Sequence, residues 1–218
     1  MLASRTLLFV TLLAIASGAQ AKRPRGGGSE AGQFDYYAVS LSWSPSFCAT
    51  HSDPTQCGRG LGFVLHGLWP QFEAGYPQSC STERLPGAVR SQYESLYPSP
   101  KLIGHEWDKH GTCSGLDPAG YFALSARLKQ QVVIPAAYQQ PARPVRASVA
   151  EFVQAFKSAN PAMASNSVLP FCAGGGRFLS ELHACFDKGG RSRSCSQGEI
   201  KRSYSSCRQE TFLLESAR

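Results

Sequence analysis

Residues 105–113 of the chain read HEWDKHGTC, and residues 63–71 read FVLHGLWPQ. If the first stretch is a helix with about 100° between successive residues, Lys109, Glu106 and His110 lie at about 40°, 100° and 140° from His105. Gly111 suits the end of such a helix. Two histidines, a lysine and a glutamate on one helix face are costly to bury in a core. The pattern therefore predicts a helix whose polar face forms a site that handles a phosphate group.

The alternative for the same stretch is a zinc-protease motif. In H-E-x-x-H the two histidines are at i and i+4, almost in line along the helix, whereas His105 and His110 are at i and i+5 and diverge by about 140°. The cysteines show neither C-x-x-C nor the paired Cys/His spacing of a zinc knuckle. The sequence therefore predicts neither a metal site nor a cofactor.

The apolar stretch GFVLHGL at residues 62–68 predicts a buried strand with His66 near its end. A single histidine on an apolar strand is most often a structural residue. His51 and His183 have no catalytic neighbours in the sequence, and we interpret them in that way. His66 differs because the sequence also contains the polar residues of the 105–113 stretch, among them His110. Two histidines that titrate near neutral pH can act as acid and base in one reaction.

RNA is a substrate for which these residues suffice, because its 2′-hydroxyl is an internal nucleophile beside the scissile phosphorus. Cleavage then requires a base for that hydroxyl, an acid for the departing 5′-oxygen, and positive charge around the phosphate. Two histidines can supply the first two functions and Lys109 the third. Glu106, four residues before His110, can orient that histidine or form a hydrogen bond with the phosphorane.

The two stretches together resemble the paired active-site signatures of the ribonuclease T2 family, H-G-L-W-P followed by H-E-W-x-K-H-G-T-C, and match them residue for residue. The resemblance implies an α+β fold in which an antiparallel sheet carries His66 and a helix carries residues 105–110. It implies that His110 is the general base and His66 the general acid. It also implies that Glu106 and Lys109 stabilise the pentacoordinate state, and that His105 binds phosphate.

The same resemblance implies a substrate and a reaction: single-stranded RNA, not DNA, cleaved to 2′,3′-cyclic phosphates and then to 3′-phosphates by a monomer. Trp69 matches the family's base-stacking residue. Gln71 stands where many relatives have an acidic residue that selects the base, and Leu102 stands where relatives often have an aromatic residue for the second base. We therefore expect broad base specificity.

The first 33 residues differ in composition from the rest of the chain. A basic residue, an apolar run and the ending Ala19-Gln20-Ala21 predict a signal peptide over residues 1–21, cleaved after Ala21, and hence a secreted or periplasmic protein without a membrane anchor. Residues 22–33 are glycine-rich and basic, and predict a flexible leader. Residues 34–218 contain no repeat or linker and predict one catalytic domain. The net charge of +7 is compatible with a polyanionic partner.

All eight cysteines follow the predicted signal peptide, and an even number in an exported protein favours four disulfides. The residues alone do not choose among the many pairings. The family resemblance implies Cys48–Cys57, Cys80–Cys113, Cys172–Cys207 and Cys185–Cys195.

Local patterns predict both helices and strands. Asp117-Pro118 is typical of a helix start, and apolar residues at helical spacing follow over residues 121–133. Ser148 and Glu151 match a capping box that opens a second helix. Strands are predicted over residues 34–43, 177–187 and 210–214. The mixed order indicates an α+β domain.

Two other functions are compatible with parts of this pattern. A catalytically inactive relative would bind RNA or a cell surface, but such a protein has no need to keep all five residues of the site. A metal-dependent secreted hydrolase would lose its activity in a chelator. The sequence favours the metal-independent ribonuclease over both.

Overall fold

The computed structural model describes residues 30–217. The predicted signal peptide and most of the predicted leader lie outside these residues. The last four residues of that leader are described, and for them the prediction is wrong. The backbone N–H of Gly32 donates a hydrogen bond to the Cys113 carbonyl (2.9 Å), and Lys188 Nζ donates to the Gly32 carbonyl (3.0 Å). The chain therefore joins the fold before residue 34.

The described residues form an α+β structure with six strands and six α-helices, which confirms the predicted fold class. The strands are β1 Tyr36–Trp43, β2 Phe63–Gln71, β3 Val145–Ala147, β4 Val168–Ala173, β5 Phe178–Phe186 and β6 Phe212–Leu214. The helices are α1 Ser44–Cys48, α2 Gly87–Tyr93, α3 Pro100–Lys109, α4 Pro118–Gln130, α5 Val149–Ala159 and α6 Gln197–Ser206. No helix within residues 30–217 is long and apolar enough to cross a membrane.

The six strands form one sheet in the order β2-β1-β5-β6-β3, and β4 also pairs with β5. Four of the strand pairings are antiparallel, but β5 and β6 run parallel where Phe178 lies opposite Leu213. The prediction of an antiparallel sheet is therefore wrong at this one pairing, and the sheet is mixed.

The pairing of β1 with β2 contains a β-bulge at His66. Leu41 lies opposite Leu65 and Ser40 lies opposite Gly67, so that His66 has no partner on β1. An extra residue in one strand changes the direction of its side chain and shifts the alternation that follows. Leu65 and Leu68, three residues apart, can therefore both lie fully buried in the core.

Alternate residues of β1 face different surroundings. Val39 and Leu41 belong to the main apolar core, which also contains Phe122 of α4 and Phe152 of α5. The intervening residues point to the other face of the sheet, where Ser40 and Ser42 lie opposite β5 residues. The catalytic candidates lie on this second face.

Helix α3 begins five residues earlier than the predicted polar cluster, with Pro100 in its first turn. Ile103 and Trp107, one turn apart, are fully buried and fix the helix on the core. The helix ends at Lys109, His110 is its C-cap, and a short 3₁₀ turn begins at Gly111. A Cβ atom on Gly111 would lie 2.4 Å from the Trp107 ring, which is why a glycine is required there.

The predicted caps are present. Asp117 accepts a hydrogen bond from the Gly120 N–H at the start of α4, and Ser148 and Glu151 form the capping box of α5. The cysteines pair as Cys48–Cys57, Cys80–Cys113, Cys172–Cys207 and Cys185–Cys195, which is the pairing that the resemblance implies.

Candidate active site

Helix α3 and strands β2 and β5 surround a cleft of about 370 Å³. Seven of the eight predicted site residues line it: His66, Trp69, Gln71, His105, Glu106, Lys109 and His110. The eighth, Leu102, lines a neighbouring cavity of about 250 Å³, and His66 and His105 lie at the boundary because they line both cavities. The structure thus brings the two sequence clusters together, although residues 72–104 separate them along the chain.

Glu106 lies at the bottom of the cleft and its side chain is fully buried. Its Oε2 accepts a hydrogen bond from Trp69 Nε1 (2.8 Å). Within residues 30–217 its Oε1 has no hydrogen-bond partner, and His66 Nε2 lies 3.8 Å away. Burial raises the pKa of the Glu106 carboxyl to about 7, although the nearby His66 opposes this shift. The carboxyl can therefore donate or accept a hydrogen bond near neutral pH.

His110 occupies the C-cap of α3 and is almost fully buried. The Trp69 ring stacks on its imidazole, with 5.2 Å between ring centroids and 25° between planes. Burial lowers the pKa of His110 to about 3, and the positive charge of Lys109 acts in the same direction. The ring is therefore neutral over the physiological range, as a general base requires.

His66 reaches the cleft from the bulge in β2, and about a third of its side chain is exposed. Its Nδ1 lies 3.2 Å from Ser42 Oγ and 3.5 Å from Glu181 Oε2. Its Nε2 is on the side of Glu106. The Trp69 ring makes an edge contact with His66 as well, at 5.1 Å between centroids, so one indole contacts both histidines.

The remaining two predicted catalytic residues, His105 and Lys109, are less buried than Glu106 and His110. His105 is exposed, and Lys109 is partly buried at the last position of α3. Partial burial, together with Lys109 and His66, lowers the pKa of His105. Both side chains face the cleft, where they can contact an anionic group.

Sequence reasoning missed a second group of charged residues at the cleft. His183 was interpreted as structural, but it lines the cleft together with Glu181 and Arg202. His183 lies between two carboxylates, those of Glu181 and Glu199. The spacing of Glu181 and His183 at i and i+2 on a predicted strand was the available signal, because it places both side chains on one face. No part of the sequence indicated that this face meets His66.

Among residues 30–217, no group of three or more histidine, cysteine or acidic side chains is placed to hold a metal ion. The titratable side chains that line the cleft include four imidazoles, two carboxyls, a lysine and an arginine.

The comparisons with known proteins identify the family of the chain. The sequence profile described as "Ribonuclease T2 family" matches residues 34–195. The chain therefore belongs to the ribonuclease T2 family, a class of ribonucleases. A ribonuclease of Aeromonas hydrophila is 43% identical over 201 residues, which cover 87% of this chain and 89% of that protein.

Two solved structures share the fold at lower identity. An RNase-related protein from Calystegia sepium superposes with a TM-score of 0.67 at 21% identity, covering 85% of this chain and 98% of its own. A mutant of RNase MC1, in complex with 5′-UMP, superposes with a TM-score of 0.60 at 23% identity, covering 73% of this chain and 91% of its own.

Proposed function

We propose that this protein is an endoribonuclease that cleaves single-stranded RNA by transesterification, with His66 and His110 as its acid and base. One observation carries the proposal: the imidazoles of His66 and His110 both contact the Trp69 ring beside the buried Glu106 carboxyl. Such a cleft offers two proton-transfer groups to one substrate. A phosphodiester with an adjacent hydroxyl requires that arrangement.

In the first step, neutral His110 removes the proton from the 2′-hydroxyl of RNA. The 2′-oxygen attacks the phosphorus, the bond between phosphorus and the 5′-oxygen breaks, and His66 gives a proton to that oxygen. The products are a 2′,3′-cyclic phosphate and a free 5′-hydroxyl. In the second step a water molecule opens the cyclic phosphate to a 3′-phosphate, and the two histidines exchange roles. Each proton transfer contributes about 10²- to 10⁴-fold to the rate.

Negative charge increases on the phosphoryl oxygens in the pentacoordinate state. Lys109 supplies positive charge at the cleft, His105 can contact the phosphate there, and Glu106 can donate a hydrogen bond while it is protonated. The Oε1 atom of Glu106 has no protein partner within the described residues, so a phosphoryl oxygen can occupy that position. No metal or cofactor takes part in these steps.

The presence of two neighbouring cavities favours a substrate that extends past the scissile phosphate on both sides. The larger contains Trp69, Gln71 and the exposed Tyr76, which can stack on a base or read its edge. The smaller contains Leu102 and Phe47, which offer apolar contacts in place of an aromatic platform at position 102. We therefore propose broad base specificity, with Trp69, Gln71 and Leu102 as substrate-binding residues.

DNA lacks the 2′-hydroxyl and is not a substrate in this mechanism. Four disulfides are compatible with an oxidising compartment, and we propose that the protein is secreted or periplasmic after cleavage at Ala21. We further propose that residues 34–218 act as one domain and as a monomer.

The test is digestion of single-stranded RNA and of DNA of the same sequence in EDTA, with identification of the product ends. We expect cleavage of RNA alone, giving 2′,3′-cyclic ends, and its loss in both His66→Ala and His110→Ala. Gln154→Ala is the control, because this exposed residue of α5 lines neither of the two cavities. If the disulfide-bonded protein bound RNA without cleaving it, the protein would be an RNA-binding relative and not an enzyme. Cleavage only after metal is restored would contradict the mechanism.

A further inference from the structure

Glu181 contacts the catalytic candidate His66 without a role in the mechanism above. Its Oε2 lies 3.5 Å from His66 Nδ1 and accepts a hydrogen bond from Ser40 Oγ (2.9 Å). Because Ser42 pairs with Glu181 across β1 and β5, Ser42 Oγ also lies 3.2 Å from the same nitrogen. The Nδ1 edge of His66 is thus held by β1 and β5, while Nε2 is on the side of Glu106.

A chain of alternating charges continues behind Glu181. Its Oε1 lies 3.4 Å from His183 Nε2. His183 Nδ1 forms a hydrogen bond with Glu199 of α6, and Glu199 also pairs with Arg202. The arrangement places His183, which is almost fully buried, between two carboxylates.

Each ionised group in this series of side chains shifts the pKa of its neighbours. Burial disfavours a charged imidazole, but Glu181 and Glu199 outweigh it and raise the pKa of His183 to about 9. Burial also disfavours a charged carboxylate, but His183 and His66 hold the pKa of Glu181 well below its ordinary range. Glu181 therefore presents a permanent negative charge to His66 at neutral pH.

We propose that Glu181 is a positioning residue for His66: its carboxylate, anchored by His183 and Ser40, holds the imidazole with Nδ1–H toward Glu181 and Nε2 toward the substrate. This inference rests on the proposed function, in which His66 donates a proton to the leaving 5′-oxygen. A carboxylate on the far nitrogen fixes the tautomer and stabilises the protonated ring that this step requires. His183, Glu199 and Arg202 act through Glu181 and not on the substrate.

The nature of the leaving group distinguishes this role from a merely structural one. The 5′-oxygen of a nucleoside leaves slowly unless it receives a proton, whereas 4-nitrophenoxide leaves without one. Removing the charge of Glu181 should therefore slow the cleavage of a dinucleotide such as UpA more than that of uridine 3′-(4-nitrophenyl phosphate). A general loss of structure would slow both reactions equally.

The experiment measures kcat and KM for both substrates with Glu181→Gln and Glu181→Asp. For Glu181→Gln we expect kcat on UpA to fall by about 10- to 100-fold, with KM changed by less than about twofold and kcat on the aryl ester reduced by less than about threefold. Glu181→Asp keeps the charge and should recover part of the loss. Glu73→Gln is the matched control, because Glu73 is ion-paired with Arg193 (2.8 Å) outside the cleft lining and should behave as the wild type.

A second measurement does not depend on activity. In long-range ¹H–¹⁵N spectra at constant pH, assigned with His66→Ala, we expect the His66 ring signals of Glu181→Gln to differ from those of the wild type. Unchanged ring signals, or equal losses on both substrates, would overturn the inference. Failure of the wild type to cleave either substrate would overturn the proposed function, and the ring signals would then decide separately whether Glu181 holds His66.

Discussion

Gly67 is the residue that allows the buried carboxyl and the indole to meet. A Cβ atom at this position would lie 1.7 Å from Glu106 Oε2 and 2.5 Å from Trp69 Nε1. Any side chain would therefore displace the hydrogen bond between these two groups. Since Trp69 also stacks on His110, the displacement would reach the proposed general base.

We expect Gly67→Ala to lower kcat/KM for RNA by about 100-fold, because displacements of about 1 Å in an active site have effects of that size. The measurement is steady-state cleavage of UpA, together with thermal unfolding to check that the variant is folded. Gly87→Ala is the control, since nothing lies within 4 Å of a Cβ atom there. Equal activity in Gly67→Ala and the wild type would show that the position of Glu106 is not important.

The residues of the site were predictable to different degrees. The polar face of α3 follows from helical periodicity, so His105, Glu106, Lys109 and His110 could be identified before the fold was known. The surroundings that change their protonation could not, because burial of Glu106 depends on how α3 packs against β2. Local sequence carries no information on that packing.

At the scale of elements, β5 and α6 form an electrostatic unit whose stability depends on pH. The pKa of His183 is about 9 in the folded protein, raised by Glu181 and Glu199 against the effect of burial. An ordinary histidine in an unfolded chain titrates near 6.5. Below that pH both states bind the proton and the stabilisation is complete. As the pH rises toward 9, the unfolded state loses the proton first and the stabilisation disappears.

We therefore expect the free energy of unfolding to fall by about 2 kcal/mol between pH 7 and pH 9. The measurement is urea unfolding at several pH values with the disulfides intact. Glu106, whose pKa is about 7, contributes its own change mainly below this range. His183→Gln should remove the decrease, and a wild-type protein whose stability is constant between pH 7 and pH 9 would contradict the assignment.

The helices that were predicted and helix α6, which was missed, differ in their content of apolar residues. Helices α4 and α5 have clear start signals at Asp117 and Ser148, and both were predicted, although α4 ends at Gln130 and not at residue 133. Helix α6 is rich in serine and charged residues and was missed, because it packs on β4 with few apolar side chains. Strand β4 was missed too, since Pro170 interrupts its strand pattern.

The bulge at His66 was also beyond prediction. If the predicted strand of residues 62–68 continued regularly to Trp69, His66 and Trp69 would lie on opposite faces, because they are three residues apart. The unpaired residue in β2 puts both in the cleft. Register irregularities depend on the partner strand, which the local sequence does not reveal.

At the scale of the whole molecule, two of the four disulfides connect residues that are more than 30 positions apart in sequence. Cys172–Cys207 joins β4 to the end of α6 and closes a separation of 35 residues, whereas Cys48–Cys57 closes a separation of 9. The longer loop loses more chain entropy when it is closed in the unfolded state. The bridge to α6 therefore contributes more to stability than the bridge in the loop after α1.

We expect the double variant Cys172→Ala/Cys207→Ala to lose about 1 kcal/mol more unfolding free energy than Cys48→Ala/Cys57→Ala. Loss of the buried Cys207 side chain acts in the same direction. Urea unfolding of the two variants and the wild type at one pH provides the comparison. A larger loss in the variant without Cys48–Cys57 would contradict the argument from loop length.

The contact of Trp69 with His66 and His110 also makes the intrinsic fluorescence of the protein a probe of the cleft. Of the three tryptophans in the chain, Trp43 and Trp107 are fully buried in the core, whereas Trp69 is partly exposed and stacks on His110. A protonated imidazole quenches indole emission more strongly than a neutral one. The fluorescence of the unlabelled protein should therefore report the protonation of the cleft and the arrival of a nucleotide in real time.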